Sequence, residues 1–556
     1  MKARVIISEL LFSYLVGSMQ FDILIKNGRI IDGTGNPWVP SDIGIKDEKI
    51  VELMPVIEGS AKKVIDASGY VVCPGFIDMH SHSDSFILLS GETDSYIRQG
   101  ITTCVNGQCG ESLAPIPEGR EAEAKKRFTD VFPPFASVEI TWNTFSSYLD
   151  RMETTSCYIN TAYFVGFDAL LFAGQPGEED RSPTSEELEV MKSYLDEGMK
   201  AGAFGLSTGL IYAPQAYSKA KEIIELAKVV AQHKGYYFSH IRSESEFVID
   251  AVKECIEITE QSGCLGGNIS HHKVSGRPFW GASETTLQLI EEANNRGVSM
   301  TCDQYPYNRG MTTLRTLLPP WVHEGGLEQL LARIQNPKDL ERIRKELEAG
   351  KGAWENFVRA IGYNHIYLAQ CFTEKWKPFQ AKSLTEITEI TDFADEFKTL
   401  IGILVDENAA CYMTVETMGE EDIRRIMKSR YQMFGTDGAG IPFNPDFGAV
   451  HPRFYGTFPR VLGKYVREER FLILEEAIRK MTSFPAQRLG IKDRGLLREG
   501  MWADIVVFDP ETVADKATFK QSHAFPEGIL YVMVNGTLVV EGDTIHKVFP
   551  GKVLRH

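Results

Sequence analysis

Long hydrophobic runs and an excess of basic residues are both missing from this 556-residue sequence. No stretch of about 18 consecutive apolar residues is present, so the sequence predicts no membrane-spanning helix and no membrane partner. The 76 acidic residues outnumber the 59 basic ones, which gives a net charge of −17. Because nucleic-acid phosphates are bound by Lys and Arg patches, this balance argues against nucleic acid as a partner.

Paired cysteines are also lacking: the nine cysteines are scattered singly along the chain. This spacing is typical of a reducing compartment, and we expect the protein in the cytoplasm. The first eighteen residues faintly resemble a signal peptide, but Ser8 and Glu9 interrupt the apolar region and no small-residue cleavage site follows. Met19 stands just before the first predicted strand, so we expect residues 1–18 to be a misassigned start or an extension.

A Gly-x-Gly-x-x-Gly turn after a strand is absent, which removes support for a dinucleotide-binding fold. Instead, short apolar strands alternate with amphipathic helices across residues 74–490. Residues 236–239 and 267–270, for example, are strand-like. Earlier in the chain, a capping-box pattern at Thr184 and Glu187 predicts the start of a helix. This βαβα rhythm predicts a parallel sheet, and at this length a closed (β/α)8 barrel is favoured over an open sheet.

The two chain ends and one internal segment depart from this rhythm. Residues 20–73 and 491–556 read as short strands, with Asn-Gly turns at Asn27-Gly28, where we expect a hairpin, and at Asn535-Gly536. We therefore expect one small β-sandwich built from both ends. Between about residues 308 and 419 the alternation breaks down, which predicts an insertion near the barrel mouth that covers the active site.

Two histidines, His80 and His82, follow an apolar run at residues 70–77. In a strand, side chains two residues apart point to the same face, so both imidazoles can reach one metal ion. Neutral imidazole is the commonest metal ligand in proteins. A single His-x-His is weak support for a metal site, however, because surface or core-edge histidines occur at such spacing by chance.

Further metal-binding residue types stand where other predicted strands end, the position at which barrel enzymes carry their chemistry. Each has an ordinary alternative: a core-edge histidine, a small buried cysteine or a turn aspartate. It is improbable that so many of these residues stand at the ends of predicted strands by chance, so the sequence predicts a metal centre there. The strand-end positions after the His-x-His pair are Cys109, His240, His271 and Asp437.

Pro-Gly-Phe-Ile-Asp-Met-His-Ser-His-Ser-Asp at residues 74–84 resembles the amidohydrolase superfamily. Several other segments resemble its N-acyl-D-amino-acid deacylase (D-aminoacylase) branch, and together they are highly specific. The resemblance runs from about Phe21 to the C-terminus. The segments are Gly107-Gln108-Cys109-Gly110, Gly205-Leu206-Ser207-Thr208-Gly209-Leu210, Ser239-His240-Ile241-Arg242, Ser270-His271-His272-Lys273, Asp303-Gln304-Tyr305-Pro306-Tyr307, Gly435-Thr436-Asp437-Gly438 and His451-Pro452-Arg453.

The resemblance implies a role for each matched residue. It implies one tightly bound zinc ion and a second, weaker metal position, with a cysteine where related amidohydrolases have a carbamylated lysine. The tight zinc would be held by Cys109, His240 and His271, and the weaker position lined by His80, His82 and Asp437. The residues implied to bind the substrate are Lys273, Tyr305 and Arg453.

The implied activity is zinc-dependent hydrolysis of an N-acyl-D-amino acid, a small molecule, to a carboxylate and a free D-amino acid. Zinc lowers the pKa of water, and Asp437 can act as general base and then as general acid toward the leaving amine. Two alternatives stay open: opening of a cyclic amide, as in hydantoinases or dihydroorotases, and a non-catalytic scaffold. Cys109 in place of a lysine argues against the first, and the complete ligand set against the second.

Overall fold

The structure is a computed structural model that describes residues 20–175, 179–349 and 354–556. The residues predicted to be a misassigned start, 1–18, lie outside these ranges. The strands, in chain order, are β1 Gln20–Ile30, β2 Val39–Lys46, β3 Lys49–Met54, β4 Ser60–Asp66, β5 Val71–Pro74, β6 Phe76–Asp78, β7 Ile101–Asn106, β8 Asn160–Tyr163, β9 Val165–Gly166, β10 Gly205–Gly209, β11 Tyr236–His240, β12 Gly266–Ile269, β13 Met300–Gln304, β14 Arg309–Thr313, β15 Ile366–Leu368, β16 Tyr412–Glu416, β17 Gln432–Phe434, β18 Ile505–Phe508, β19 Ile529–Val534, β20 Thr537–Glu541 and β21 Thr544–Ile545.

Helices follow most of the central strands, as expected for repeated β-α units. The helix predicted from the Thr184 and Glu187 pattern begins there, with both capping-box hydrogen bonds present. The α-helices are Asp84–Leu89, Asp94–Ile97, Glu121–Val131, Phe145–Glu153, Phe167–Gly174, Ser185–Ala201, Ala220–Gln232, Val248–Ser262, Ser283–Asn295, Leu327–Arg333, Pro337–Ala349, Phe357–Ile361, Leu384–Glu389, Glu396–Asp406, Glu420–Lys428, Arg453–Arg460, Leu474–Met481 and Ser483–Arg488.

The central strands close into a parallel barrel. One sheet has the order β17-β13-β12-β11-β10-β9 and another the order β6-β7-β8. β8 and β9 follow one another directly and join the two sheets on one side. On the other side the amide of Met79 donates to the carbonyl oxygen of Phe434 at 3.3 Å, and Ser81 forms a parallel bridge with Gly438. The predicted (β/α)8 barrel is therefore confirmed.

The barrel interior is filled by large side chains just below the level of the strand ends. Ile77, Met79, Phe164, Phe238 and Met433 belong to one buried cluster there, and the rings of Phe164 and Phe238 lie 4.4 Å apart. Phe238 precedes His240 by two positions, so both side chains point to the same side of β11. This packing seals the lower barrel and leaves the C-terminal ends of the strands as the open end.

Both chain ends contribute to a separate nine-stranded sheet of β1–β5 and β18–β21. The two parts meet where β5 pairs antiparallel with β18, for example at Val72 and Val507. The predicted hairpin at Asn27-Gly28 is wrong: β1 continues through it, and the register with β2 shifts there. Asn27 has φ of 61°, a conformation that serves a β-bulge as well as a turn. Asn535-Gly536 does form the turn between β19 and β20.

Residues 309–416 depart from the barrel pattern after β13. Their strands form an antiparallel sheet in the order β14-β16-β15, and their helices cover it with a hydrophobic cluster of its own around Trp376 and Leu400. This segment leaves and rejoins the barrel at the C-terminal end of the strands, the end that carries the predicted site. No helix in the described ranges is long and apolar enough to cross a bilayer.

Candidate metal centre

The predicted strand-end residues come together at the open end of the barrel. The Cys109 sulfur is the centre of the group: it lies 3.3 Å from Nε2 of His80, 3.3 Å from Nε2 of His271 and 3.6 Å from Nδ1 of His240. His82 and Asp437 lie beside this cluster, with Nε2 of His82 3.2 Å from Oδ1 of Asp437. One thiol and several imidazoles from distant parts of the chain thus share a space of a few ångströms.

Unusual backbone conformations deliver three of these side chains. Cys109, His271 and Asp437 have positive φ angles of 54°, 36° and 51°. Side-chain-bearing residues seldom adopt this region, and such strain clusters at functional sites. At the cysteine turn, a Cβ on Gly107 would lie 2.1 Å from the carbonyl oxygen of Phe164, so only glycine fits two residues before Cys109.

The donor set and its spacing fit a zinc ion. With Zn–S of about 2.3 Å and Zn–N of about 2.1 Å, sulfur and nitrogen ligands of a tetrahedral site lie about 3.6 Å apart. The observed separations from the Cys109 sulfur to His240 and His271 are 3.6 Å and 3.3 Å. Two further groups of three donors also lie within 4.8 Å of one another: His80, His82 and Cys109, and His80, His271 and Asp437. The site therefore has donors for one zinc and for a second cation adjacent to it.

Burial sets the protonation states of the candidate ligands. It lowers the pKa of His240 and of His271 well below the usual value, which keeps both imidazoles neutral as metal binding requires. Burial raises the pKa of the Cys109 thiol well above its usual value. A bound cation reverses this effect, because a coordinating thiol is deprotonated outright. The thiolate is thus stable here only with a metal beside it.

Asp437 is an ionised carboxylate within the cluster. Burial raises its pKa, but the Arg453 guanidinium and the surrounding histidines outweigh burial and leave the pKa well below its ordinary value. Oδ2 lies 2.8 Å from Nη1 of Arg453, and Oδ1 lies 3.6 Å from Nε2 of His80. One carboxylate oxygen therefore faces the ligand cluster while the other faces a cation.

The three residues implied to bind substrate surround the same space. The Arg453 guanidinium carbon lies 4.7 Å, and the Lys273 ammonium 5.7 Å, from the centre of the Tyr305 ring. Nε of Arg453 is buried and has no hydrogen-bond partner among the described residues. Burial lowers the pKa of Lys273, but the Glu244 carboxylate outweighs it and raises the pKa above its usual value. Two permanent cations and a phenol thus converge beside the donors.

Asp303 and Glu244, which are not among the predicted site residues, are two buried carboxylates that contact the histidines from behind. Oδ1 of Asp303 accepts a hydrogen bond from the amide of His271 at 2.7 Å and lies 3.5 Å from Nδ1 of His80. Oε1 of Glu244 lies 3.1 Å from Nδ1 of His271. Asp303 stands near the end of β13, so the strand-end criterion used for the other residues could have found it. Glu244 lies in the loop after β11, where no such signal exists.

An inner cavity of about 210 Å³ opens from the ligand cluster. It shares His82, Glu111, Tyr212 and Thr312 with an outer cavity of about 530 Å³ under the segment of residues 309–416. The space beside the donors is therefore large enough for a small molecule and is reached through the outer cavity. Besides Tyr305, the apolar and aromatic residues that line the inner cavity are Phe86, Val131, Phe132, Ile211, Tyr212, Met311, Phe357, Tyr412, Val415, Ala439, Phe447 and Phe454.

Comparison with known proteins relates this geometry to a family. A profile of the amidohydrolase family matches residues 63–540. A D-aminoacylase of Alcaligenes xylosoxydans xylosoxydans is 34% identical over 537 residues, which cover 97% of this chain and 98% of that protein. The structure is similar to that of N-acyl-D-glutamate deacylase from Bordetella bronchiseptica, complexed with zinc and a phosphonate that mimics the tetrahedral intermediate. The TM-score is 0.80 at 32% identity, with coverage of 97% of this chain and 100% of that chain.

The structure is also similar to that of a D-aminoacylase with a binuclear metal centre. That enzyme is described as activated by one metal and attenuated by a second. Its TM-score is 0.79 at 31% identity, with coverage of 96% of this chain and 100% of that chain. These relatives span nearly the whole of the chain, including the sheet built from its two ends.

Proposed function

Because this chain belongs to the amidohydrolase family, we propose that it is a zinc-dependent hydrolase that converts N-acyl-D-amino acids to a carboxylate and a free D-amino acid. One observation carries the proposal: the Cys109 sulfur lies within 3.6 Å of nitrogens from three histidines, beside an ionised Asp437 and two cations. The names of full-length relatives support the D configuration and the linear amide.

We assign the tight zinc to Cys109, His240 and His271, and a weaker second position to His80, His82 and Asp437. The thiolate and two neutral imidazoles of the first set match zinc chemistry, whereas the second set has no sulfur of its own. When bound, zinc supplies Lewis-acid chemistry, since it polarises an amide carbonyl and lowers the pKa of water toward about 7.

Asp437 is suited to move the proton of the reaction. Its low pKa keeps it ionised at neutral pH, so it can take a proton from the attacking water and then deliver it to the leaving amine. Nε2 of His82, 3.2 Å from Oδ1, orients the carboxylate. Arg453 holds the other oxygen, which leaves Oδ1 directed at the reacting atoms.

The α-carboxylate of the substrate has a matching receptor in Arg453, Lys273 and Tyr305. Arg453 has a buried Nε–H with no partner among the described residues, and guanidinium binds carboxylates through two parallel hydrogen bonds. Lys273 and the Tyr305 hydroxyl add donors for the carboxylate or the developing oxyanion. A cyclic amide has no free carboxylate to use this receptor, which favours a linear N-acyl amino acid over the ring-opening alternative.

The proposed activity is tested with the zinc-loaded protein and N-acetyl-D- and N-acetyl-L-forms of one amino acid. We expect release of acetate from the D-form and at least about 100-fold lower kcat/KM for the L-form. The α-carboxylate receptor and the metal fix two substituents of the chiral carbon, so the L-form exchanges the hydrogen and the side chain and directs the side chain away from the inner cavity. Hydantoin and dihydroorotate serve as controls. Ring opening without deacylation, or no hydrolysis by a zinc-loaded protein, would contradict the proposal.

The inner cavity favours apolar side chains on the D-amino acid. Its lining is rich in aromatic and aliphatic groups, and its two cations already face carboxylates: Lys273 faces Glu244 at 2.6 Å and Arg453 faces Asp437 at 2.8 Å. Among the described residues that line the inner cavity, Lys273 and Arg453 are the only Lys or Arg side chains, and both are assigned to the α-carboxylate, so a side-chain carboxylate has no further cation to offset its desolvation. We therefore expect kcat/KM for N-acetyl-D-leucine to exceed that for N-acetyl-D-glutamate by about tenfold or more.

Both substrates are assayed with the wild-type enzyme and with Ile211→Arg, which places a cation on the cavity wall. The variant should shift the ratio toward N-acetyl-D-glutamate, because the added guanidinium pairs with the side-chain carboxylate. Faster hydrolysis of the glutamate derivative by the wild-type enzyme would show that the apolar wall does not decide the preference.

The cytoplasm is the compartment we propose. All nine cysteines are free thiols in the structure, eight of them buried, which suits a reducing environment. Cys109 in particular must stay reduced to serve as a ligand.

A further inference from the structure

We propose that Glu244 is a positioning residue for the metal centre, held in turn by Glu355 of the segment of residues 309–416. Glu244 would fix the ring of His271 and the ammonium of Lys273, so that one buried carboxylate serves both a zinc ligand and the substrate receptor. The inference rests on the zinc site of the proposed function but not on the identity of the substrate.

The Glu244 carboxylate lies on the side of His271 that faces away from the thiol. Nε2 of His271 is 3.3 Å from the Cys109 sulfur, whereas Nδ1 is 3.1 Å from Oε1 of Glu244. The same Oε1 lies 2.6 Å from Nζ of Lys273 and 3.7 Å from Nε2 of His240. The Glu244 side chain is only 5% exposed, so water does not compete for these contacts.

The chemistry of imidazole requires an acceptor at this place. A neutral histidine that offers Nε2 to a cation carries its hydrogen on Nδ1, and this N–H needs a hydrogen-bond acceptor. Nδ1 has two near neighbours, Oε1 of Glu244 and Nζ of Lys273 at 2.6 Å. An ammonium group has no acceptor, so the carboxylate alone can receive the hydrogen of Nδ1.

The same carboxylate also holds Lys273. Once Nδ1 of His271 carries a hydrogen, it cannot accept a hydrogen bond from the lysine, and Glu244 is the partner that remains at 2.6 Å. With zinc on Nε2, Glu244 would accept from both groups, which would keep the lysine beside Tyr305 and the Nε2 lone pair of His271 directed at the metal.

Glu355 links this arrangement to the segment over the barrel mouth. Its Oε2 accepts hydrogen bonds from the hydroxyl of Ser243 at 2.8 Å and from the amide of Glu244 at 3.0 Å. Glu355 is 3% exposed and comes from residues 309–416, whereas Ser243 and Glu244 belong to the loop after β11. A buried carboxylate of the covering segment thus sets the backbone position of the residue that orients His271.

The test uses Glu244→Gln, with Glu246→Gln as a matched control. Glu246 lies in the same loop, but its side chain is 38% exposed and pairs with Arg359 on the surface. Zinc affinity of the metal-free protein is measured by competition with a chromophoric chelator, without any substrate. We expect about 10- to 100-fold weaker zinc binding for Glu244→Gln, the usual effect of losing an outer carboxylate, and no change for Glu246→Gln.

Two further variants separate positioning from a general structural role. Glu244→Gln leaves the buried Lys273 ammonium without its carboxylate, so the unfolding midpoint of the zinc-free variant should fall. Glu244→Asp keeps the charge but draws it back by one methylene, so it should bind zinc more tightly than Glu244→Gln and more weakly than the wild type. Glu355→Gln should weaken zinc binding in the same direction but less, and the double variant should be no weaker than Glu244→Gln alone.

Zinc affinity of Glu244→Gln within about twofold of the wild type would overturn the inference. If Glu244→Gln does not fold, the other two variants decide. Wild-type zinc affinity in Glu355→Gln would overturn the link to the covering segment. Wild-type zinc affinity in Glu244→Asp, whose carboxylate is drawn back by one methylene, would overturn the positioning role. Wild-type protein that binds zinc in the chelator assay but deacylates nothing would instead contradict the proposed function, so the two failures are distinct.

Discussion

Asp437→Ala should lower kcat for an N-acetyl-D-amino acid by at least about 100-fold while the tight zinc stays bound. The carboxylate is the group placed to take the proton of the attacking water, and alanine has no substitute for it. Oδ1 of Asp437 contacts His80 and His82, whereas the tight set of Cys109, His240 and His271 does not depend on it. The loss should therefore appear in turnover and not in zinc content.

The measurement pairs steady-state kinetics with zinc content after extensive dialysis. Asp446→Ala is the matched control, because Asp446 is an exposed aspartate on the loop that follows Asp437 and lies away from the cluster. Its kinetics should equal those of the wild type. If Asp437→Ala retains most of its turnover, Asp437 does not carry out the proton transfer. If the variant loses the tight zinc, Asp437 is a ligand of that zinc together with Cys109, His240 and His271.

Cys109→Ala should abolish both the tight zinc and the activity. Removing a direct ligand is expected to weaken zinc binding by more than the roughly 10- to 100-fold typical of outer partners. Nitrogens of His80, His240 and His271 all lie within 3.6 Å of the Cys109 sulfur. Without this sulfur, the proposed tight site keeps only the neutral imidazoles of His240 and His271, which carry no charge and bind zinc weakly.

Zinc content and chelator competition report the outcome for Cys109→Ala, with unfolding midpoints of the metal-free proteins as a check on folding. Cys264→Ala is the control, since Cys264 is a half-buried thiol that donates to the carbonyl oxygen of Ala227 far from the site. Cys264→Ala should keep one zinc per chain. Cys109→Ala that still holds zinc as tightly as the wild type would place the tight site on the other donors.

The alternation of strands and helices was enough to predict the barrel, because a parallel sheet covered on both faces needs apolar strands and helices with one apolar side. It also predicted where the proposed site lies, since strand ends of a barrel meet at one level. Local turn chemistry was less reliable. Asn535-Gly536 makes a turn between strands, but Asn27-Gly28 makes a bulge inside β1, because the same positive φ serves both.

Contacts across the site depended on tertiary structure. Glu244 and Glu355 are 111 residues apart in sequence and neither stands at the end of a barrel strand, so only the packing of residues 309–416 against the loop after β11 brings them together. The 2.8 Å contact between Arg453 and Asp437 also depends on tertiary structure, because the proposed α-carboxylate receptor and the proposed proton carrier lie on separate segments.

The sequence by itself therefore determined the residue types of the proposed centre: one thiol, four histidines and an aspartate. Metal chemistry requires particular donor atoms, and the hydrophobic pattern shows where the strands end. Only the tertiary structure decided which ring nitrogen faces the Cys109 sulfur and which carboxylate stands behind it. The reason is physical: the tautomer and orientation of an imidazole are set by the partners of both its nitrogens, and one of those partners always comes from elsewhere in the fold.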